Sequence, residues 1–282
     1  MALQLRQPTR RANQIRTSFV MTLLAVCSVV AWSGCRTTPV TGRKQLLLIP
    51  ESQEISMGVS AYQEVMQKET PTSNQRFQEM VERVGQRIAA VSGRDDFQWE
   101  FKVVQSQQQN AFCLPGGKVA VYEGILPICE NEAGLAVVMS HEIAHALARH
   151  GGERMTHSQV RDVGKNVMNA VFKGEDEKTR DLIQTAYGLG SKYGAILPYS
   201  RKHESEADQI GMRLMAQAGY DPSEAPRFWQ RFGQAKGASS TSEFFSTHPS
   251  DERRAAELQA QLPEAKAVYE QAATKIGLGE KI

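Results

Sequence analysis

The chain has 282 residues, 33 Lys and Arg against 31 Asp and Glu, and 41% hydrophobic content. That length admits one large domain or two small ones, and a charged fraction of 23% is ordinary for a folded protein, which excludes wholesale disorder. The first 34 residues hold Arg6, Arg10, Arg11 and Arg16 and no acid, so the remainder is slightly acidic without a basic block, and no nucleic-acid partner is expected.

At the N-terminus, Arg-rich residues 6–16 precede an apolar run, Phe19 to Trp32, of 14 residues. A spanning helix needs about 20. The charged start, short apolar stretch and small Ser33-Gly34 read as a secretory signal over residues 1–34. Ser33-Gly34-Cys35 resembles a bacterial lipobox, with Trp32 where Leu is usual, so lipidation of Cys35 and a lipid anchor to a membrane are expected. A plain signal peptide is the simpler alternative. Residues 35–50 read as a polar tether and 51–275 as the folded domain. Cys113 and Cys129 then remain as an even pair, and a disulfide and two buried thiols are equally open.

Along the domain, residues 51–69 and 73–91 show helical spacing, with Ile55, Val59, Tyr62 and Met66, then Phe77, Met80, Val81, Val84 and Ile88. Trp99, Phe101 and Val103 alternate as a half-buried strand. After the turn Pro115-Gly116-Gly117, residues 118–122 read as a second strand beside the first. Asn131 is a good N-cap for an almost wholly apolar helix that continues through His141 and His145 toward His150, with Gly151-Gly152 ending or bending it. Further helices are expected over 153–172, 178–193 and 200–218. A Gly/Ser-rich loop at 237–242 leads to His248-Pro249 and a closing helix over 251–275. No repeat or second core is evident, so the pattern describes one α+β domain.

His141-Glu142-Ile143-Ala144-His145 carries the chemistry. Positions i and i+4 of a helix share a face, so both imidazoles can hold one Zn²⁺ while Glu142 leans toward the metal's open position. Zinc lets a bound water lose its proton near neutral pH, and Glu142 can take that proton and pass it to a leaving amine. A buried face of paired histidines is the plain alternative, disfavoured because three polar groups would need partners within an apolar helix. A catalytic zinc needs a third protein ligand. The metzincin spacing would put glycine at 148 and histidine at 151, where Ala148 and Gly151 stand. Glu153 follows too closely, and Glu175 and Glu177 lie in a charged run. In His203–Asp208, Glu204 and Asp208 are four apart on one helical face, while Glu206 is turned about 200° from Glu204. Glu204 then suits the metal, and Asp208 can accept the second ring N–H of a ligand histidine. An exposed charged helix is the alternative for this segment. His150, about 140° off the face of His145, reads with His157 as structural or exposed.

These segments, with Pro39-Val-Thr-Gly-Arg43, Asn110-Ala-Phe-Cys-Leu-Pro-Gly-Gly117, Ser200-Arg-Lys-His-Glu-Ser-Glu-Ala-Asp208 and Thr247-His-Pro-Ser250, resemble peptidase family M48 in its order. The likeness is to its HtpX-, BepA-, LoiP- and Oma-like members, above all the small lipoproteins of the Gram-negative periplasm. It implies a mostly helical, single-domain α+β fold of gluzincin type with a small β-sheet. It also implies one zinc held by His141, His145 and Glu204, with Glu142 as general base. His248 is implied to approach the metal, either donating to a developing oxyanion or occupying the open position in a latent form. Arg253 or Arg254 is implied to support the site. Val119, Ala120 and Val121, taken as an edge strand, are expected to pair with an extended substrate, and Asn110 to orient the cleft or cap its turn. The expected activity is endoproteolysis of misfolded or misassembled envelope proteins. Arg36 after the lipidated Cys implies a place in the periplasm on the outer membrane. A non-catalytic, zinc-stabilised chaperone or assembly lipoprotein is the rival, and a cell-wall hydrolase a weaker one.

Overall fold

The computed structural model describes residues 35–171, 177, 197–235, 248 and 252–282. The expected signal over 1–34, the helix over 178–193 and the loop at 237–242 lie outside them. The chain opens with an antiparallel hairpin, β1 (Cys35–Thr37) and β2 (Lys44–Leu46), whose turn places Gly42 at φ 65°. Cys35, the expected lipidation site, begins β1 with its side chain exposed. Far from trailing in solvent, this stretch is bound to the helices: Thr38, Thr41 and Arg43 all reach Glu206.

Helices α1 (Glu51–Lys68) and α2 (Gln75–Ala90) follow where the spacing predicts them. Asn74 caps α2 by accepting from Phe77 N, and Met80, Val81, Val84 and Ile88 form its buried stripe. Strands β3 (Glu100–Val104), β4 (Ala111–Leu114) and β5 (Lys118–Tyr122) make a three-stranded sheet in the order β3-β5-β4. β5 lies beside β3 as expected, parallel to it, and antiparallel to β4. This corrects the expectation for Val119, Ala120 and Val121. They belong to the central strand, both of whose backbone edges are already bonded, and all three are fully buried. The outer edges are β3 and β4. That of β3 is closed: Gln78 donates to Phe101 O and accepts from Val103 N, and Thr72 N donates to Val103 O. The edge of β4 carries no further strand among the described residues.

After a four-residue helix, α3 (Leu126–Cys129), come α4 (Glu132–Leu147), α5 (His150–Val171), α6 (Leu197–Gln217), α7 (Glu224–Ala235) and α8 (Glu252–Glu270). Asn131 Oδ1 caps α4 by accepting from Gly134 N at 3.0 Å, and every residue of α4 is buried. α6 crosses α4 where Gly211 meets the backbone of His141; a Cβ there would come to 3.0 Å from His141 N. That approach carries the Glu204–Asp208 turn over the two histidines. The α4–α5 break falls earlier than the glycines suggest. Arg149 takes φ 56°, and Gly151 and Gly152 lie inside α5. Gly152 is needed for space, since a Cβ would lie 2.0 Å from Glu54 Oε1.

Packing continues past residue 275. Ile276 and Ile282 rest on the core, and Ile282 N donates to Glu130 O. Cys113 and Cys129 are free thiols, the first partly and the second fully buried. No helix among the described residues is long and apolar enough to cross a membrane. The protein is a mostly helical α+β domain with small sheets.

Candidate metal centre

One turn of α4 sets His141 and His145 side by side, their Nε2 atoms 3.1 Å apart. Glu204 of α6 reaches both: Oε2 is 3.3 Å from His141 Nε2 and Oε1 is 3.4 Å from His145 Nε2. His248 Nδ1 completes the group, 3.2 Å from His141 Nε2 and 2.9 Å from Glu204 Oε2. The four ligand atoms lie within 4.8 Å of one another. Zinc–ligand bonds of about 2.0 Å in a tetrahedron separate neighbouring ligands by about 3.3 Å, so these distances fit one zinc.

The proton positions fit as well. Asp208 Oδ1 lies 3.0 Å from His141 Nδ1 and accepts its N–H, leaving Nε2 bare for a metal. Arg254 grips Asp208 with two bonds of 2.7 and 2.8 Å and stacks over Trp229 of α7, 3.5 Å from the ring centre. Of the two arginines, Arg254 is the one that is buried at the site, while Arg253 is exposed. Trp229 also meets the edge of His141, a contact the sequence did not signal.

On the other side, His150 Nδ1 lies 2.9 Å from His145 Nδ1, and His150 Nε2 lies 3.0 Å from Glu206 Oε2. His150 was expected to be structural or exposed. It is fully buried, and the left-handed Arg149 turns its ring back onto His145. Glu206 does point away from the metal side, as its helical angle requires, and its carboxylate meets His150 there. Arg43 bonds both Glu206 and Glu153, and Glu153 meets His203 at 2.8 Å.

The electrostatics suit a cation. Burial opposes charge on His141, yet Asp208 and Glu204 raise it to about 9; the field that favours a proton there favours a metal ion. Burial drives His145 well below its ordinary value and lowers His150 to about 4, so both rings are neutral at pH 7. Glu204 resists burial and stays well below the carboxylate range because His141 and His248 bond it. Glu142 behaves oppositely: burial pushes it upward, toward the range useful to a general base. Its Oε1 stands 3.4 Å from His248 Nε2 and accepts no hydrogen bond among the described residues. Cys113 of β4 lies near it, its thiol raised by burial and by the Glu142 charge. Asn110 closes the start of β4 by accepting from Ala111 N.

The model of peptidase family M48 matches residues 75–262. The chain belongs to that family. It is 37% identical over 268 residues to the mitochondrial metalloendopeptidase OMA1 of Schizosaccharomyces pombe, covering 94% of this chain and 77% of that one. It is 29% identical over 272 residues to OMA1 of Saccharomyces cerevisiae, covering 90% and 76%. To the beta-barrel assembly-enhancing protease of Escherichia coli it is 24% identical over 256 residues, covering 87% of this chain and 52% of the relative. This M48 protein is thus a metalloendopeptidase, and its cofactor is zinc. The relatives also bring a correction. The periplasmic, outer-membrane location implied by the lipobox likeness is overturned, because the well-covered OMA1 relatives are mitochondrial.

Proposed function

We propose that His141, His145 and Glu204 hold the zinc and that Glu142 is the general base of peptide-bond hydrolysis. The carrying observation is the convergence of three ligand atoms beside the buried Glu142 carboxylate, whose Oε1 accepts no hydrogen bond among the described residues. Zinc held there supplies a Lewis acid for the peptide carbonyl and acidifies an attacking water. Glu142 takes the proton from that water and returns it to the departing amine; its raised affinity for protons suits both steps. His248 fills the remaining corner of the ligand group, which supports a resting occupant of the open position over an oxyanion donor. Asp208 and Arg254 fix His141, and Asn110 anchors β4.

The substrate is a stretch of extended chain laid along β4. Tyr122 N donates to Asn110 O, so antiparallel alternation turns the backbone of Ala111 and Cys113 away from β5. Edge pairing reads main chain, so it selects unfolded segments over particular sequences. We therefore propose that the enzyme removes misfolded or misassembled proteins, in keeping with the assembly role in the name of its E. coli relative.

The test is Glu142→Gln. Casein cleavage should fall by about 10²–10⁴-fold with one zinc per chain retained. Unchanged cleavage would overturn the role of Glu142. A function that survived the substitution in cells would support the chaperone or scaffold instead, and turnover of peptidoglycan fragments but not casein would point to a cell-wall enzyme.

A further inference from the structure

The N-terminal hairpin meets the metal centre through a chain of hydrogen bonds. Arg43 Nε donates to Glu206 Oε2 at 2.7 Å, Thr38 Oγ1 donates to Glu206 Oε1 at 2.6 Å, and Thr41 Oγ1 bonds the same oxygen. Glu206 in turn receives His150 Nε2 at 3.0 Å, and His150 Nδ1 faces His145 Nδ1 at 2.9 Å. A neutral imidazole has a single N–H. A carboxylate only accepts, so His150 spends its N–H on Glu206 and presents a bare Nδ1. His145 must then donate from its own Nδ1, which leaves its Nε2 lone pair facing the metal.

We propose that the β1–β2 hairpin is a positioning device for the metal ligand His145, acting through Glu206 and His150. It parallels Asp208 and Arg254 behind His141, with an imidazole inserted between carboxylate and ligand. Three features beyond proximity support it. His150 is fully buried, the Arg149 turn at φ 56° aims its ring, and the stack against His203, with centroids 4.2 Å apart, holds that ring in plane. Arg43 further ties Glu206 to Glu153, so three separate segments fix the far end. The proposal rests on the metallopeptidase assignment of the site, and its test separates the two.

The experiment measures zinc affinity of the full chain by chelator competition and the visible spectrum of the cobalt-substituted protein. His150→Leu removes the acceptor for His145 and should weaken zinc by about 10–100-fold and shift the cobalt bands. His150→Gln offers a carbonyl to His145 and an amide N–H to Glu206, and should restore most of the affinity and the spectrum. Glu132→Gln is the control: it removes the charge of a buried carboxylate paired with the partly exposed Arg83 at the distant start of α4, and should cost stability without moving either readout. Should His150→Leu fail to fold, Arg43→Met and Thr41→Val carry the same test from the hairpin, with affinity expected to fall several-fold. Wild-type affinity with an unchanged cobalt spectrum in the His150 or hairpin variants would overturn the proposal. So would a loss no greater than that of Glu132→Gln at equal melting temperature. Failure of the wild type to bind one zinc would overturn the site assignment itself, and the proposal with it.

Discussion

His248 faces two ways: Nδ1 joins the ligand atoms at 2.9 Å from Glu204, and Nε2 lies 3.4 Å from Glu142. A ring so placed occupies the corner where water and substrate carbonyl would enter and screens Glu142, the proposed general base. His248→Ala should therefore raise basal casein cleavage by roughly an order of magnitude at unchanged zinc content. A fall of about 10²-fold, the scale of a lost oxyanion donor, would instead assign the ring to the transition state. Glu153 poses a different question. Its carboxylate faces Arg43, His203 and, at 3.8 Å, His157. Burial works against its charge, but His203 and Arg43 hold it at about 2, below the ordinary 4.5. A depressed carboxylate stabilises the fold above its unfolded pKa, and that contribution disappears as pH falls through the folded one. Glu153→Gln should thus be about 2 kcal/mol less stable than wild type at pH 7. The gap in urea midpoints should close between about pH 4.5 and pH 2; a gap independent of pH would remove the ion pair from the explanation.

Elements were legible where one periodicity governed them. The α2 stripe and the α4 cap follow from local spacing and turn chemistry. His141, His145, Glu204 and Asp208 could be paired because each pair recurs at i, i+4 on a helix. β4 left no such trace: Ala-Phe-Cys-Leu is four residues without polar alternation, and it is a strand only because β5 pairs with it. The buried run Val119–Val121 was misassigned to an edge for a related reason, since a continuous apolar run marks a strand covered on both faces. His150 escaped because helical angles do not carry across a break, and that break lies at an arginine with positive φ. A consequence belongs to β4. Proline at position 113 removes an outward N–H and spares the ladder with β5. Cys113→Pro should lower kcat/KM on extended peptides by about 10-fold or more at near-constant melting temperature and zinc affinity, while Cys113→Ala should cleave like wild type. Equal activity of the two would free the β4 edge from substrate binding.

At the scale of the molecule, the candidate metal centre joins distant parts of the chain that a shared hydrophobic core also packs together. His141 and His145 come from α4, Glu204 from α6 and His248 from the approach to α8. The α4–α6 contact is close at Gly211 and brings Glu204, Asp208, His141 and His145 into one buried cluster, which Arg254 joins from α8. Without a cation, the buried Glu204 carboxylate is held by its bonds to His141 and His248, while Asp208 and Arg254 are already spent on each other. An ion that binds the folded chain and ignores the unfolded one stabilises by mass action, about 2.7 kcal/mol at a hundredfold excess over Kd. For a domain of this size each 1 kcal/mol moves Tm by roughly 2–4 °C. Chelation should therefore lower Tm by about 5–10 °C, and added zinc should restore it. Glu204→Ala should melt near the chelated wild type and respond to neither treatment, because two histidines on one helical turn cross-link nothing. If Glu204→Ala kept one zinc and the full chelator response, α6 would not supply the third ligand, and the tie between the two helices would have to come from packing alone.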